Sequence, residues 1–378
     1  MRIVWLSDFD ARGSGYFNIS VKLCEGLAKL GHEIKAVGLG YTGGEHNYNF
    51  SIIPAVNMQE AMMEVQNLFN VWKFNVLIVA LDISIQEPLL ANMQNKPFKY
   101  IGIMPLEAPP LCMSWAMVLM NMDKALMISK FGTEEVKKTG ITQVEYLPIG
   151  IDLNAWKVPT KAERKAFREG LGFEEDEFVI LTVADNQERK NLGKAMEIFK
   201  VFSDENKSRY AMVTRLQNFV GWRIDDLALE MNIHKKIMKF ERGMPHSNLW
   251  AIYAASDAFM LVSKAEGLSM PLLEAMAVKL PCLGTNCTSI AELLGEGRGR
   301  LVEYDYVYRD PFGNGNRYFA SWKSGVEQLK FIKDNPEEVK TMTTLARKYV
   351  EKRTWNIPIN QIDTILKSLV VEKKDEPK

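Results

Sequence analysis

The sequence predicts the α/β class, with two doubly wound units that each carry a parallel sheet between helices. Three observations predict it. Short apolar runs of β-branched character recur along the chain, and helix-length amphipathic segments lie between them, the pattern of parallel strands buried on both faces. The rhythm also pauses once, from Pro148 to Pro159, and then restarts.

In the first part the strand candidates are Ile3–Leu6, Ile34–Leu39, Val76–Leu81, Tyr100–Met104, Ala125–Ser129 and Val144–Ile149. Each is four to six residues of mostly apolar, β-prone type, too short for a helix of ordinary length. Between them the apolar residues recur at helical spacing near Asn18–Leu30, Gln59–Trp72, Ile85–Asn95 and Phe131–Thr139. Pro148-Ile-Gly-Ile-Asp152 and Pro159 interrupt the alternation, and the polar helix Lys161–Gly170 restarts it.

In the second part Phe178–Ala184, Ala211–Leu216, Ile237–Phe240, Ala258–Val262 and Cys282–Thr285 read as strands. Helices are expected at Leu192–Asn206, Ile224–Met231, Leu249–Ala255 and Pro271–Val278, and past about residue 325 the pattern is helical only, through Val326–Arg353 and Ile359–Val371. The charged tail Glu372–Lys378 is expected to fray. The expected domains are therefore 1–155 and 156–355, with a last helix at about 356–371 returning to the first. Ligands of open parallel sheets sit outside the carboxyl ends of the strands, so two such sheets face to face would hold one in the cleft between them.

Composition excludes several classes of function. The 378 residues are 47% hydrophobic and 25% charged, enough apolar surface to offset chain entropy over most of the length. Lys plus Arg and Asp plus Glu are 47 each, so no net field draws the whole chain to nucleic acid. Four cysteines, Cys24, Cys112, Cys282 and Cys287, are too sparse for a disulfide framework and fit a reducing compartment. The pair Cys282 and Cys287 lacks a second Cys/His pair nearby, so buried thiols are expected rather than a zinc site. The start MRIVWLSDFD lacks a secretory apolar region, and no run of about 18 uncharged apolar residues occurs. A cytoplasmic protein is expected.

Local basic patches, Lys161/Arg164/Lys165/Arg168 and Lys235/Lys236/Lys239, read as solvated faces, with weak peripheral attachment to anionic lipid at the inner membrane surface as the alternative. The twenty Met residues, as in Met113–Met127, read as core filling. The histidines His32, His46, His234 and His246 read as structural or exposed, His32 in a helix-to-strand turn and the others in polar loops.

Chemistry concentrates in two stretches. After the first strand, Gly13-Ser-Gly15 precedes a helix, and glycines there let backbone N–H groups and the positive helix end approach a phosphate. A dinucleotide fingerprint would need glycine where Asn18 stands, which argues against hydride transfer. Asp8-Phe-Asp10 matches the short D-x-D pattern that can hold a divalent metal, but the pair points to alternate sides if extended, so a turn or an acceptor contact is preferred. In the second stretch, Ser256–Glu296, Glu266 falls in the loop after a buried strand and Pro271 begins a helix that puts Glu274 one turn in. Loop Glu266-Gly267-Leu268-Ser269 brings a carboxylate, backbone amides and a helix N-terminus to one point, suited to a pyrophosphate flanked by hydroxyls. Solvated surface positions or caps are the alternative reading of both glutamates.

This second stretch resembles the E-x7-E region of retaining GT-B glycosyltransferases, above all their family 4. Ile3–Val37 with Gly13-Ser-Gly15 and Gly31-His-Glu33-Ile resembles that family's donor-phosphate loop and following strand. Ser129-Lys-Phe131 with Pro148-Ile-Gly150-Ile-Asp152 resembles the segment closing its first domain, Arg189-Lys190-Asn191 its phosphate turn, and Trp355 with the last helix its returning segment. Most of residues 1–371 is covered.

The resemblance implies a two-domain GT-B enzyme that moves a sugar from a nucleotide diphosphate sugar to a carbohydrate, lipid or protein acceptor with retention, without metal or other cofactor. It implies that Glu274 accepts from ribose hydroxyls, that Glu266 faces the transferred sugar, and that backbone N–H groups of Gly267, Leu268 and Ser269 contact sugar or phosphate, with Gly13 and Gly15 on the donor side as well. Lys190, with Arg189, would neutralise the leaving pyrophosphate. Two departures stand out. Asp185 occupies the position, five before Lys190, where relatives commonly carry Arg; either Arg189 supplies that charge or donor affinity is low. On the acceptor side Glu107, followed by prolines and Trp115, stands where many relatives have His; Asp8 and Asp10 are further acceptor-side candidates. A non-catalytic nucleotide-sugar-binding relative and an epimerase on the same fold are the alternatives.

Overall fold

A computed structural model of the chain describes residues 1–10, 15–93, 96–218 and 220–371. The chain divides into two compact units. One comprises Met1–Gly150, Phe312–Asn314 and the segment from Arg353 onward; the other comprises Ile151–Pro311 and Gly315–Lys352.

The first unit contains a parallel sheet of β1 (Arg2–Asp8), β2 (Glu33–Leu39), β3 (Ser51–Ala55), β4 (Val76–Ala80), β5 (Lys99–Met104), β6 (Lys124–Met127) and β7 (Val144–Tyr146). Its spatial order is β3-β2-β1-β4-β5-β6-β7. Central β4 is buried at every position, as a strand covered on both faces must be. Among the described residues these strands are linked by α1 (Gly15–Lys29), α2 (Met58–Trp72), α3 (Ile83–Ala91), α4 (Met113–Met120) and α5 (Lys130–Lys137). In the second unit the parallel sheet is β8 (Phe178–Val183), β9 (Ser208–Thr214), β10 (Ile237–Glu241), β11 (Ala258–Leu261), β12 (Cys282–Thr285) and β13 (Arg300–Val302), ordered β10-β9-β8-β11-β12-β13. Its helices are α6 (Lys161–Gly170), α7 (Leu192–Glu205), α8 (Ile224–Glu230), α9 (His246–Ala255), α10 (Met270–Ala277) and α11 (Thr288–Leu294). An antiparallel hairpin, β14 (Tyr304–Arg309) with β15 (Asn316–Ala320), and α12 (Trp322–Asp334) and α13 (Pro336–Glu351) follow. The α/β class with two doubly wound parallel sheets is the one the sequence predicts.

α14 (Asn356–Val371) packs on α1 in the first unit. A Cβ added to Gly26 would lie 2.2 Å from Ile359 Cδ1, and His32 Nε2 meets Asp363 Oδ1 at 2.9 Å, so the last helix is seated by close apolar approach and a partly buried polar contact. Gly150 has a similar reason: a Cβ there would fall 2.7 Å from the Trp355 backbone nitrogen.

Several expectations are corrected. β3 escapes the strand pattern because Pro54 interrupts it, and proline is tolerated there because β3 is an edge strand. The Met113–Met127 run is not all core. It contains α4, whose Met113, Met117 and Met120 are exposed, whereas Met122 and Met127 are buried. The helix expected over Val326–Arg353 breaks at Asn335-Pro336 into α12 and α13, since proline suits a helix start and not its interior. His246, expected in a polar loop, opens α9 and sets its ring edge-on to Trp156. The α6 patch is not a solvated basic face. Arg164 and Arg168 turn inward onto Asp257 at 2.5 and 3.0 Å and donate to the carbonyls of Ala254, Ala255 and Ser256 at the carboxyl end of α9, leaving Lys161 and Lys165 exposed. No helix among the described residues is long and apolar enough to cross a membrane.

Candidate active site

In the second unit the sheet order reverses between β8 and β11, and this switch point brings two loops together at the carboxyl strand ends. After β8, the chain forms a tight turn over Glu188–Lys190, closed by Asn191 in the left-handed region with φ of 55°. After β11, the loop Ser263–Ser269 leads into α10, where the Ser269 side chain caps the helix by accepting from Leu272 N at 3.3 Å. The loops are tied by their backbones: Lys264 N donates to Arg189 O at 2.8 Å.

Glu266 is the centre of this arrangement, at 2% exposure. Lys190 Nζ lies 2.5 Å from its Oε1, Arg189 Nη1 lies 3.0 Å from its Oε2, and Ser263 Oγ donates to Oε1 at 2.7 Å. Its backbone is fixed as well, with Glu266 N donating to Thr288 Oγ1 at 3.0 Å and Ser289 Oγ donating to Glu266 O at 2.9 Å. Burial opposes ionisation, but the Lys190 and Arg189 charges and the hydrogen bonds from Lys190 and Ser263 outweigh it and hold the carboxyl at about 2. The carboxylate is therefore ionised, and the three charged side chains sum to +1.

Glu274 stands apart from this cluster. It lies within α10, buried, and accepts from Tyr253 Oη at 3.0 Å. Burial raises its carboxyl to about 7, against a lowering contribution from the Tyr253 hydrogen bond. Two glutamates eight positions apart thus have opposite electrostatics: one is fixed as an anion, the other titrates near neutrality.

Gly267 and Ser269 are buried beside Glu266, and Leu268 packs against the core of the second unit. The remaining candidates belong to the first unit. Gly15 is the first residue of α1, and Gly13 lies outside the described residues. Asp8 ends β1 and accepts from Asp10 N at 2.8 Å, an Asx turn at the carboxyl end of that strand. Glu107 follows β5. Tyr16 Oη, unanticipated, donates to Asp82 Oδ1 at 2.6 Å across the β1 and β4 ends. Among the described residues no group of three or more His, Cys, Asp or Glu side chains could hold a metal ion. Cys282 and Cys287 are both buried and free, and burial pushes the Cys287 thiol up to about 12.

Sequence reasoning missed Ser263, Thr288, Ser289 and Tyr253. Ser263 is three residues before Glu266 and could have been found as its neighbour. Thr288 and Ser289 sit in the small polar run Asn286-Cys287-Thr288-Ser289 after β12, a strand-to-helix junction that becomes informative only once β12 is known to adjoin β11. Tyr253 gives no local signal, being 21 residues from Glu274 on the preceding helix.

Solved structures share this architecture over nearly the whole chain. Sucrose-phosphate synthase from Thermosynechococcus elongatus superposes with a TM-score of 0.79 at 16% identity, covering 98% of this chain and 100% of that one. Anabaena HepE in complex with UDP-glucose superposes at 0.74 with 12% identity, covering 97% and 100%. The fold is GT-B.

By sequence, residues 163–306 match the family described as Glycosyl transferases group 1. That segment holds Asp185, Arg189, Lys190, Glu266 and Glu274. O-antigen chain mannosyltransferase B of Escherichia coli is 28% identical over 118 residues, which is 31% of this chain and 30% of that protein. The chain thus aligns with less than a third of that relative's length.

Proposed function

We propose that the protein is a retaining glycosyltransferase that moves a sugar from a nucleotide diphosphate sugar to an acceptor, with the donor bound on the second unit. The observation that carries the proposal is the Lys190–Glu266–Arg189 cluster at the β8/β11 switch point, inside the segment that matches Glycosyl transferases group 1. Two cations preset on one buried carboxylate can receive a departing pyrophosphate without reorganising, which is where preorganised charge acts most strongly on a barrier. UDP-glucose held by the similarly folded HepE supports a donor of this chemical class.

In this reading the bond between the anomeric carbon and the pyrophosphate oxygen breaks. Its electron pair stays on the diphosphate, where Lys190 and Arg189 offset the new negative charge. Glu266 faces the sugar ring as it gains positive character, the backbone amides of Gly267 to Ser269 bind sugar or phosphate, and Glu274 accepts from the ribose hydroxyls. The acceptor hydroxyl attacks on the face the diphosphate leaves and gives up its proton to a diphosphate oxygen. No metal is required. Gly13 and Gly15 are proposed to contact the donor as well, Asp8, Asp10 and Glu107 are proposed to serve the acceptor, and the protein is proposed to work in the cytoplasm.

The test is nucleotide release from a panel of UDP-, GDP- and ADP-sugars offered with carbohydrate, lipid and protein acceptors, with the product's anomeric configuration read by NMR. Release with an acceptor and an unchanged configuration is expected. Donor binding without release on any acceptor would favour a non-catalytic binder, and a new sugar formed without acceptor would favour an epimerase.

A further inference from the structure

We infer that Arg215, positioned by Asp185, is a phosphate-binding residue of the donor site. The inference rests on the donor-site reading above and answers a question that reading leaves open, namely why a carboxylate should stand on the rim of a site for an anion. Asp185 follows β8 by two residues, Arg215 directly follows β9, and Arg242 directly follows β10. Adjacent parallel registers, with Val183 paired to Val213 and Thr214 to Glu241, bring these three positions to one edge of the carboxyl end of the sheet. The same turn that begins at Asp185 carries Arg189 and Lys190, through Gln187 N donating to Asp185 O at 2.8 Å and Lys190 N donating to Gln187 O at 3.1 Å.

Asp185 is shared by two arginines. Its Oδ2 lies 3.0 Å from Arg215 Nη2 and its Oδ1 lies 3.6 Å from Arg242 Nη1. One carboxylate between two guanidinium groups gives this trio a charge of +1, and the Glu241 carboxylate, which accepts from Leu216 N at 3.0 Å, adds a negative charge beside it, so what favours a phosphate here is the exposed part of the Arg215 guanidinium rather than a net positive rim. Arg215 spends a single N–H on Asp185, its side chain is 41% exposed, and its Nε has no hydrogen-bond partner among the described residues. A guanidinium carries five donors; the Nε is buried, and the N–H groups on the two Nη atoms that Asp185 does not take are the ones left for a ligand. Its loop is also anchored. Asn186, beside Asp185, accepts from Trp222 N at 2.8 Å and donates to Trp222 O at 2.9 Å, and Asn218 donates to Asn186 O. The cation therefore stands just past the end of β9, held by Asp185 in the turn after β8.

Affinities of the full-length protein for UDP, GDP and ADP, by calorimetry, and for the corresponding nucleosides, by ligand-observed NMR, test this for the wild type and for Arg215→Met, Arg215→Asp, Lys190→Ala and the exchange Asp185→Arg with Arg215→Asp. Arg215→Met is expected to weaken the preferred diphosphate about ten- to a hundredfold, the effect of losing a charged hydrogen bond, and to leave its nucleoside unchanged. A merely structural role would weaken both alike and overturns the inference. The exchange variant is expected to regain most of what Arg215→Asp loses; no recovery overturns the positioning by Asp185. If Lys190→Ala weakens diphosphate binding but Arg215→Met does not, Arg215 is not a phosphate ligand and the donor site stands. If the wild type binds none of the three diphosphates, the donor-site reading fails and takes this inference with it.

Discussion

Lys190 Nζ sits 2.5 Å from Oε1 of Glu266 although 76 residues separate them in sequence. The two meet because β8 and β11 are neighbours at the point where the sheet order reverses. Removing either member leaves a charge on a nearly buried partner, so the pair has to be probed with measurements that separate folding from chemistry.

If Lys190 contacts the diphosphate as proposed, Lys190→Ala removes a cation whose contact strengthens as the leaving group becomes anionic. Turnover should fall by roughly two to three decades, with donor binding also weakened. Steady-state kinetics alongside thermal unfolding checks it. A folded variant with wild-type turnover would place the pyrophosphate elsewhere.

For Glu266→Gln the expectations are lower turnover and nucleotide affinity that holds or rises, because Lys190 and Arg189 are released from their anion while the shape is kept. Stability supplies a second readout. The Glu266 carboxyl is held at about 2, below its ordinary value near 4.5, by its two cations against the cost of burial. A depressed acid contributes stability above its unfolded value and loses it as pH falls through the folded one. The wild type should therefore lose about 3 kcal/mol between pH 4.5 and 2 that Glu266→Gln does not lose. Denaturant titrations of both proteins across that range measure the difference.

The fold was legible because its signals are local. Val76–Ala80 is apolar throughout and turned out to be buried throughout, and Cys282–Thr285 has the bounds its apolar run predicts. Asn335-Pro336 ended one helix and began another inside what periodicity alone reads as continuous, and Pro54 hid an edge strand. Of the candidate site, the sequence could point to the run from Glu266 to Ser269, where chemistry and chain order coincide, while Glu274 stands apart from the Lys190–Glu266–Arg189 cluster. The site was not legible where partners come from other strands. Nothing near Glu274 announces Tyr253, and nothing near Asp185 announces Arg215 and Arg242, because the contacts depend on the order in which strands pair. The α6 arginines show the same limit: composition marks them as a basic face, while Asp257 and the end of α9 draw them inward.

Gly150 offers a test confined to the first unit. An alanine there would push a Cβ to within 2.7 Å of Trp355 N and 2.8 Å of its Cα, backbone atoms that cannot yield as a flexible side chain does. Gly150→Ala should cost about 1–3 kcal/mol of stability, the usual price of overpacking. Thermal unfolding beside that of Gly140→Ala, where no atom lies within 4 Å but φ is +85°, separates steric crowding at Trp355 from backbone strain.

Because Lys190, Arg189 and backbone amides can supply the positive charge, transfer should survive chelation. The assay is turnover in EDTA and with added magnesium or manganese. Complete loss in EDTA that metal restores would move Asp8 and Asp10 from a turn to a metal site.

Glu274 supplies the pH dependence. Burial raises its carboxyl to about 7, with the Tyr253 hydrogen bond acting in the lowering direction. A raised acid contributes stability that is fully present below its unfolded value, near 4.5, and lost as pH rises through the folded one, so this group should lower stability by about 3 kcal/mol between those limits. Glu274→Gln should flatten that slope. Binding should run the opposite way. If the ionised carboxylate is what accepts from the ribose hydroxyls, nucleotide affinity rises as pH passes from 6 to 8, and in Glu274→Gln it becomes flat and about one to two decades weaker. Tyr253→Phe removes the hydrogen bond that favours the anion, so its affinity profile should shift to higher pH while the plateau above it is kept. Calorimetric titration with the preferred nucleoside diphosphate at half-unit pH steps checks all three proteins. A wild-type affinity that does not change between pH 6 and 8 would mean that Glu274 binds no ribose, whatever its stability slope shows.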